Sequence, residues 1–524
     1  MELIRPASVS SVRPPVPAIA ASVAVAIALL LVAIAVAKLG AVVALAALCA
    51  VAMAFALCVL PGTAAFVAVV VLYSNLVVLF AGTPLYQVVG ASSLILLALP
   101  VAHRLLIHRQ APRFDRVFGL MIVFLVVLLV SAFSAEDMQL AINEIVQYVS
   151  EGLLIYLLLI NAVRSPRDLH RVMAAAVLTC AALASMTVFQ AATHQYQYEF
   201  GGLAQRIDDS EAQQRVARAR EEPDDEPAPI APPEEDGVAL IDRASGPIGD
   251  PNRFAQFLLV VLPWSLYFSR HGRSAQLRLA AAGSTGLILT AVALTYSRGA
   301  FITMALLVIC LLAWRYIRPG RLAVAALVLI AIVATTAPGV LARVASIGGV
   351  GLLGKQDVKV EPDGAIRGRA TEMLAALAVF VDHPFLGVGP GQYVPYYSER
   401  YQLLDELSFR HLPRPREAHN LYFSIGAETG AAGLVAFLAI FVTLFAAFRS
   451  LRRFWLPRSR RRADLAVALA LSLVSYLGTG MFLHLSFERY LWFLVGVASA
   501  AIHVLREDQR LRHTAEEASS WPRA

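Results

Sequence analysis

Blocks of roughly 16–25 consecutive apolar residues recur along the whole chain, each long enough to cross a bilayer or nearly so. In lipid the backbone polar groups of such a block must be satisfied from within, which a helix does. Only 15% of the 524 residues are charged and mean hydropathy is +0.66, whereas a soluble domain carries about 25% charge. The expected fold is therefore all-α, a polytopic transmembrane helix bundle of about 12–14 spans with a partly helical extracytoplasmic loop. Fourteen spans can be placed, near 16–37, 40–60, 64–81, 86–102, 117–133, 146–162, 171–191, 253–269, 279–296, 300–316, 322–337, 421–448, 464–480 and 490–505. The first block, Val16 to Ala37, is too long for a cleavable leader and more spans follow. Cys49, Cys58, Cys180 and Cys310 lie within apolar blocks and read as small core residues.

The net charge of +7 would suggest nucleic acid in a soluble protein, but here the cations sit between spans. The loops His103–Arg116, Arg164–Arg171, Arg270–Arg278, Arg315–Arg321 and Arg449–Arg462 are all basic, and fourteen spans put every one on the side of both termini. By the positive-inside rule that side is the cytoplasm, which implies a multi-pass protein of a bacterial inner membrane. Four regions follow: N-terminal spans over 1–192, an acidic loop over 193–252, a central region over 253–448 that includes an outer loop over 338–420, and C-terminal helices over 449–524. The middle of the acidic loop lacks apolar periodicity and is expected to be disordered. The loop Pro338–Ala418 has apolar residues and tyrosines enough to fold, as helices on the membrane surface.

Ionisable residues at the mouths of spans carry the functional argument, because an arginine facing lipid costs several kcal/mol. Arg298, in Ser297-Arg298-Gly299, sits in a very short connection. It either snorkels from a helix end or grips an anionic group such as a phosphate in a bidentate pair. Arg243 precedes a Gly/Pro turn, with Asn252 able to cap the next span. Arg367 and Arg369 open a stretch that ends at His383-Pro384, before Gly387-Val388-Gly389-Pro390-Gly391. Without a preceding strand or a following GK[ST], those glycines are not a nucleotide loop. A turn letting backbone approach a ligand is the expected role. His419 heads the span that contains Asn420 and Glu428. It is either a general base for a sugar hydroxyl or a water-facing residue at the helix cap. Glu428, two and a half turns on, reads as structural support. His484, Glu488 and Arg489 in the last outer loop read as structural. No HExxH or Cys/His cluster points to a metal.

Together these residues resemble the O-antigen ligase and Wzy-type polymerase superfamily. Arg243-Ala244-Ser245-Gly246 with Asp250-Pro251-Asn252 resembles its R-x-x-G…(N/D)-P-N entry, and Ser297-Arg298-Gly299-Ala300 its S-R-G-A signature. Arg369 through Asp382-His383-Pro384-Phe385-Leu386-Gly387-Val388-Gly389-Pro390-Gly391 resembles its R…hPllGvGpG segment. Met373 stands where the pattern often has Trp. His419-Asn420-Leu421-Tyr422 with Glu428-Thr429-Gly430 and Gly433-Leu434 resembles its H-N-x-Y…E-x-G-x-x-G-L helix. The resemblance covers about 240 to 440.

It implies a membrane glycosyltransferase of the GT-C type, metal-independent and inverting, with no cofactor. The donor would be a polyprenyl-diphosphate-linked glycan. Arg243, Arg298 and Arg369, with Arg367 beside them, would hold the diphosphate. His419 would deprotonate the acceptor, supported by Asn420 and Glu428. The implied partners are the donor, the bilayer, and a chain-length regulator or flippase of the same pathway. The resemblance does not separate a polymerase of surface polysaccharide from a ligase acting on lipid A core or protein; the absence of any marked lipid A core site leans toward the polymerase. A transporter of lipid-linked glycan would show internal repeats and midplane charges, which the chain lacks, and a structural scaffold would leave the outer histidine and arginines unexplained.

The orientation is directly testable. Alkaline phosphatase fused after Glu235 and Ser398 is expected to be active, and GFP after Ser459 to fluoresce. Phosphatase activity at Ser459 would reverse the topology.

Overall fold

The computed structural model describes residues 61–76, 79, 85–195, 198, 200, 244–320, 323, 326–327, 364–404, 415–484 and 489–520. The spans expected at 16–37 and 40–60, most of that at 322–337, most of the acidic loop, Arg243 and Glu488 lie outside these residues. Every regular element described is helical: α1 Pro61–Tyr73, α2 Leu85–Leu106, α3 Arg116–Ser131, α4 Met138–Gln147, α5 Ile155–Ala162, α6 Pro166–Thr193, α7 Pro251–His271, α8 Ala275–Leu294, α9 Arg298–Ala313, α10 Gly364–Asp382, α11 Glu399–Gln402, α12 Leu421–Trp455, α13 Arg460–Thr479 and α14 Arg489–Ser520. Among the described residues, seven helical stretches are long and apolar enough to cross a membrane. Of residues 1–64, which separate from the rest, only the start of α1 is described; all packing below concerns residues 65–524.

Half of these helices begin where a short polar side chain takes up the open amides of the first turn. Asp115, Asp137, Ser165, Asp250, Ser274, Ser297 and Asn420 cap α3, α4, α6, α7, α8, α9 and α12 in this way. The Asp137 cap explains one difference from the sequence reading. The span expected from 146 begins at Met138, because the polar stretch Met138–Gln147 is capped and runs through a π-helical turn, Tyr148–Leu154, into α5. The central helix is α7, apolar on every side, as a helix surrounded by others must be. It packs against α8, α13, α6 and α9. Around it one continuous apolar core takes in Phe124, Tyr156, Trp264, Phe437, Trp455 and Trp492, all buried.

The bundle has two distinct ends. At one, where α7, α9 and α14 end and α8 and α13 begin, arginines are paired off: buried Asp464 receives His271 Nε2 at 2.9 Å, Arg460 Nε at 3.0 Å and Arg270 Nη2 at 3.5 Å. Arg270 also lies over the Tyr316 ring at 4.6 Å, and Arg452 donates to the Trp314 carbonyl at 3.0 Å.

At the other end α12 is broken. Gly430 has φ 64° and ψ −166°, and the segment Pro384–Gly389 fills the break. The Val388 and Gly389 amides donate to the Ala427 and Glu428 carbonyls at 2.9 and 3.0 Å, while the Ala431 and Ala432 amides donate to Pro384 and Phe385 at 2.7 and 3.3 Å. Ser131 Oγ lies 2.6 Å from the Leu386 carbonyl and 2.7 Å from that of Glu428. A Cβ on Gly387 would come within 2.3 Å of the Glu428 carbonyl carbon, and one on Gly430 within 2.3 Å of Phe385 backbone. The glycine-rich turn thus permits a close backbone approach, of Gly387 to α12 and of Gly389 to Ala135. Within the expected outer loop, residues 364–404 are mostly helical: α10 packs on α12, and Ala375, Ala376 and Val379 share a small core with Tyr393, Tyr401, Ala418 and Ala427.

Gly430→Ala and Gly387→Ala are expected to lower the melting temperature of the detergent-solubilised protein. The left-handed backbone alone costs a non-glycine residue about 1–2 kcal/mol, and the clash adds to it. Gly283→Ala, with nothing within 4 Å of the new Cβ, is the control and leaves melting unchanged or slightly raised.

Candidate active site

The connection between α8 and α9 is Thr295–Ser297, turned by Tyr296 in a left-handed conformation (φ 52°). Ser297 accepts from the Ala300 amide at 3.4 Å and starts α9, so Arg298 becomes the first residue of a helix, half-buried at the broken-helix end of the bundle. Gly299 is needed because a Cβ there would lie 2.9 Å from Phe482. Ser297, Gly299 and Ala300 face a small open cleft, lined also by Asn252, Arg369, Thr479, Phe482 and Leu483. The starts of α7 and α9, the first third of α10 and the end of α13 therefore meet at one place. Asn252 lines this cleft and is not the cap of α7: Asp250 is, because its carboxylate reaches back to the amides of Asn252 (2.6 Å) and Arg253 (3.0 Å).

His419 precedes Asn420 in a left-handed conformation (φ 44°). Asn420 caps α12 through the Tyr422 and Phe423 amides, both at 3.0 Å, and donates to the Met481 carbonyl at 3.2 Å. The Leu421 amide donates to the Gly480 carbonyl at 2.7 Å, and Tyr422 Oη to that of Leu477 at 2.7 Å. These bonds pin the start of α12 to the rim of the cleft. The His419 ring lies 5.4 Å from that of His484, edge to face, and its Nε2 is 3.5 Å from Glu372 Oε2. Arg416 Nη1 approaches Glu372 Oε1 at 3.3 Å. Burial pushes the His419 imidazole well below its ordinary range; the His484 ring and the Arg369 and Arg416 guanidiniums add to the effect, against an opposing pull from Asp250. His419 is therefore neutral at pH 7, with its lone pair available. Arg253 Nη2 donates to His484 Nε2 at 3.1 Å, which puts the His484 proton on Nδ1. Burial and that guanidinium push His484 down to about 3.

The structure thus brings Arg298, Arg369, Asn420 and His419 to one end of the bundle. Arg367 lies half-buried two residues before Arg369 on α10. Glu428 is buried, and its carboxylate takes the Gly391 and Tyr393 amides, tying the glycine-rich turn to α12. Its supporting role is thus structural. Arg243 lies outside the described residues. Sequence reasoning passed over Arg253 and Glu372. Arg253 meets the criterion that singled out Arg298, a cation in the first turn of a span, and Glu372 is a lone carboxylate in the apolar part of α10.

Residues 283–438 match the O-antigen ligase family model. The matched stretch runs from α8 through α9 and α10 into α12, so it holds Arg298, Arg367, Arg369, Glu372 and His419. It supports glycosyl transfer at a membrane in general terms and agrees with the resemblance carried by the motifs. No curated protein matches the chain.

His484 generates a pH prediction. Its folded-state value of about 3 lies below the ordinary value of about 6.5, so between these the unfolded chain binds the extra proton. The stability from keeping His484 neutral is full above the ordinary value and is lost as pH falls below it. The melting temperature is expected to drop between about pH 7.5 and about pH 5, and to drop less in His484→Gln. An identical slope in the variant would show that His484 is not a buried neutral histidine.

Proposed function

We propose that the chain transfers glycan from a polyprenyl-diphosphate carrier to an acceptor hydroxyl, on the outer face of the bacterial inner membrane, as a polymerase of surface polysaccharide. The observation that supports this best is a neutral imidazole at the same end of the bundle as a cleft that Arg369 lines, between the starts of α7, α9 and α10, with Arg298 in the first turn of α9. In this reading Arg298 and Arg369, with Arg367 and Arg243, hold the donor diphosphate and neutralise the charge that grows on it as it leaves. His419 takes the proton of the acceptor hydroxyl, whose oxygen attacks the anomeric carbon from the opposite face and inverts it. The guanidiniums do the work of a metal at the leaving group, so chelation leaves activity intact. A second reading, ligation of finished glycan to lipid A core or protein, is favoured by the description of the matched family. Both readings share donor and base and differ in acceptor. A deletion strain separates them: single repeat units accumulate if the chain polymerises, free polymer if it ligates, and an unchanged glycan profile would count against both.

Two variants test the chemistry at equal membrane abundance. Arg298→Lys is expected to lose most activity, because lysine keeps the charge without the planar fork that holds two phosphate oxygens; full activity would reduce Arg298 to a helix anchor. His419→Ala is expected to lose transfer by about 10²–10⁴-fold while donor binding persists, and Arg369→Ala to weaken donor binding instead. Transfer and binding by purified protein in nanodiscs, with and without chelator, measure both. Wild-type transfer by His419→Ala would remove it from the mechanism.

A further inference from the structure

Glu372 lies one turn after Arg369 on α10, so one helix carries a cleft arginine and, beside it, a carboxylate with a side chain only 2% exposed. A buried carboxylate is costly unless paired. This one is shared, with Oε1 at 3.3 Å from Arg416 Nη1 and Oε2 at 3.5 Å from His419 Nε2. Its backbone is fixed as well, since Tyr393 Oη donates to the Glu372 carbonyl at 3.3 Å. Neutral imidazole carries one proton, and the carboxylate favours it on the nearer nitrogen, Nε2. That leaves the lone pair on Nδ1, a buried atom that has no hydrogen-bond partner among the described residues. The carboxylate acts on the ring through charge at 3.5 Å and not through a formed hydrogen bond.

We propose that Glu372 is the positioning residue of the His419 base, holding its ring and tautomer and balancing the positive charge the ring acquires during transfer. The proposal rests on the reading of His419 as base. In the step, the acceptor hydroxyl gives its proton to His419 Nδ1 and its oxygen forms the bond to the anomeric carbon. The bond from that carbon to the diphosphate oxygen breaks, and its electron pair leaves on the phosphate. His419 is then an imidazolium. The charged and titratable groups around it are Arg369 on α10, Arg416 on its own segment, the neutral His484 beyond α13, Asp250 at the cap of α7, and Glu372. Two guanidiniums oppose the new charge. Glu372 is the carboxylate placed against the ring itself, and it stays ionised while the proton moves, as the third member of a nucleophile–base–orienter set does.

The experiment is the pH–rate profile of the full-length protein in nanodiscs, with lipid-linked glycan extracted from a strain lacking the gene as donor. Glu372→Gln is expected to lower kcat by at least roughly 10- to 100-fold, the loss seen when a metal-bound histidine loses its carboxylate partner, with KM for the donor unchanged. It also moves the acid limb of kcat to lower pH, because the ring loses the anion that favours its protonated form. Glu372→Asp, which keeps the charge but withdraws it by one methylene, lowers kcat several-fold at unchanged KM. A Glu372→Gln enzyme with a wild-type acid limb overturns the proposal, whatever its rate, since a carboxylate that merely anchors Arg416 would leave the limb in place. Should Glu372→Gln not fold, Glu372→Asp decides: wild-type kcat there overturns the proposal too. If His419→Ala is inactive in the same assay, such a failure concerns Glu372 alone; if His419→Ala transfers normally, the base assignment itself falls.

Discussion

The whole broken-helix end of this bundle depends on one backbone-to-backbone junction. At Gly430 the hydrogen-bond ladder of α12 is interrupted, and the polar groups freed there would be untenable near lipid if nothing met them. The segment Pro384–Gly389 meets them, exchanging amide and carbonyl bonds with both sides of the break. Gly387 and Gly430 make this possible because each lies against the other strand's backbone with no room for a side chain. Glu428 adds a second tie through the Gly391 and Tyr393 amides. The outer loop is thereby locked to the helix that carries His419, and α10 brings Arg369 and Glu372 with it.

Charge is handled differently at the two ends. At the end bearing the basic loops, buried Asp464 gathers Arg270, His271 and Arg460, an arrangement that fixes α7 and α13 to one another. At the other end, two histidines adjoin several arginines and are held neutral by burial and by that positive surrounding. A neutral imidazole beside guanidiniums is ready to accept a proton yet does not compete with them for an anionic ligand.

Much of this was legible in the sequence, for identifiable reasons. Apolar block length gave the helices, because lipid imposes one solution on long apolar segments. Arg298 and His419 were legible because polar residues at span mouths are rare and need a cause, and Arg369 and Asn420 because they fall in motifs that resemble a known family. What escaped depended on long-range partners. Asp250, and not Asn252, caps α7, a choice between adjacent side chains that only the local backbone decides. Arg253 gained meaning from His484, which lies 231 positions away. The approach of the glycine-rich turn to α12 was not legible because sequence marks where glycine is needed but not which neighbour requires it.

The break also changes what α12 is. At 1.5 Å per residue, the portion after Gly430 is already about 37 Å long and α13 about 30 Å, although a short turn joins the two at one end. Yet Leu421, nine residues before Gly430, bonds to Gly480 at the far tip of α13. The stub Leu421–Thr429 therefore cannot continue the rod and must run across the helix tips, like a lintel about 13 Å long resting on α13. Glu428 is then buried at the helix tips instead of sunk in the span, and His419 stands where the lintel begins.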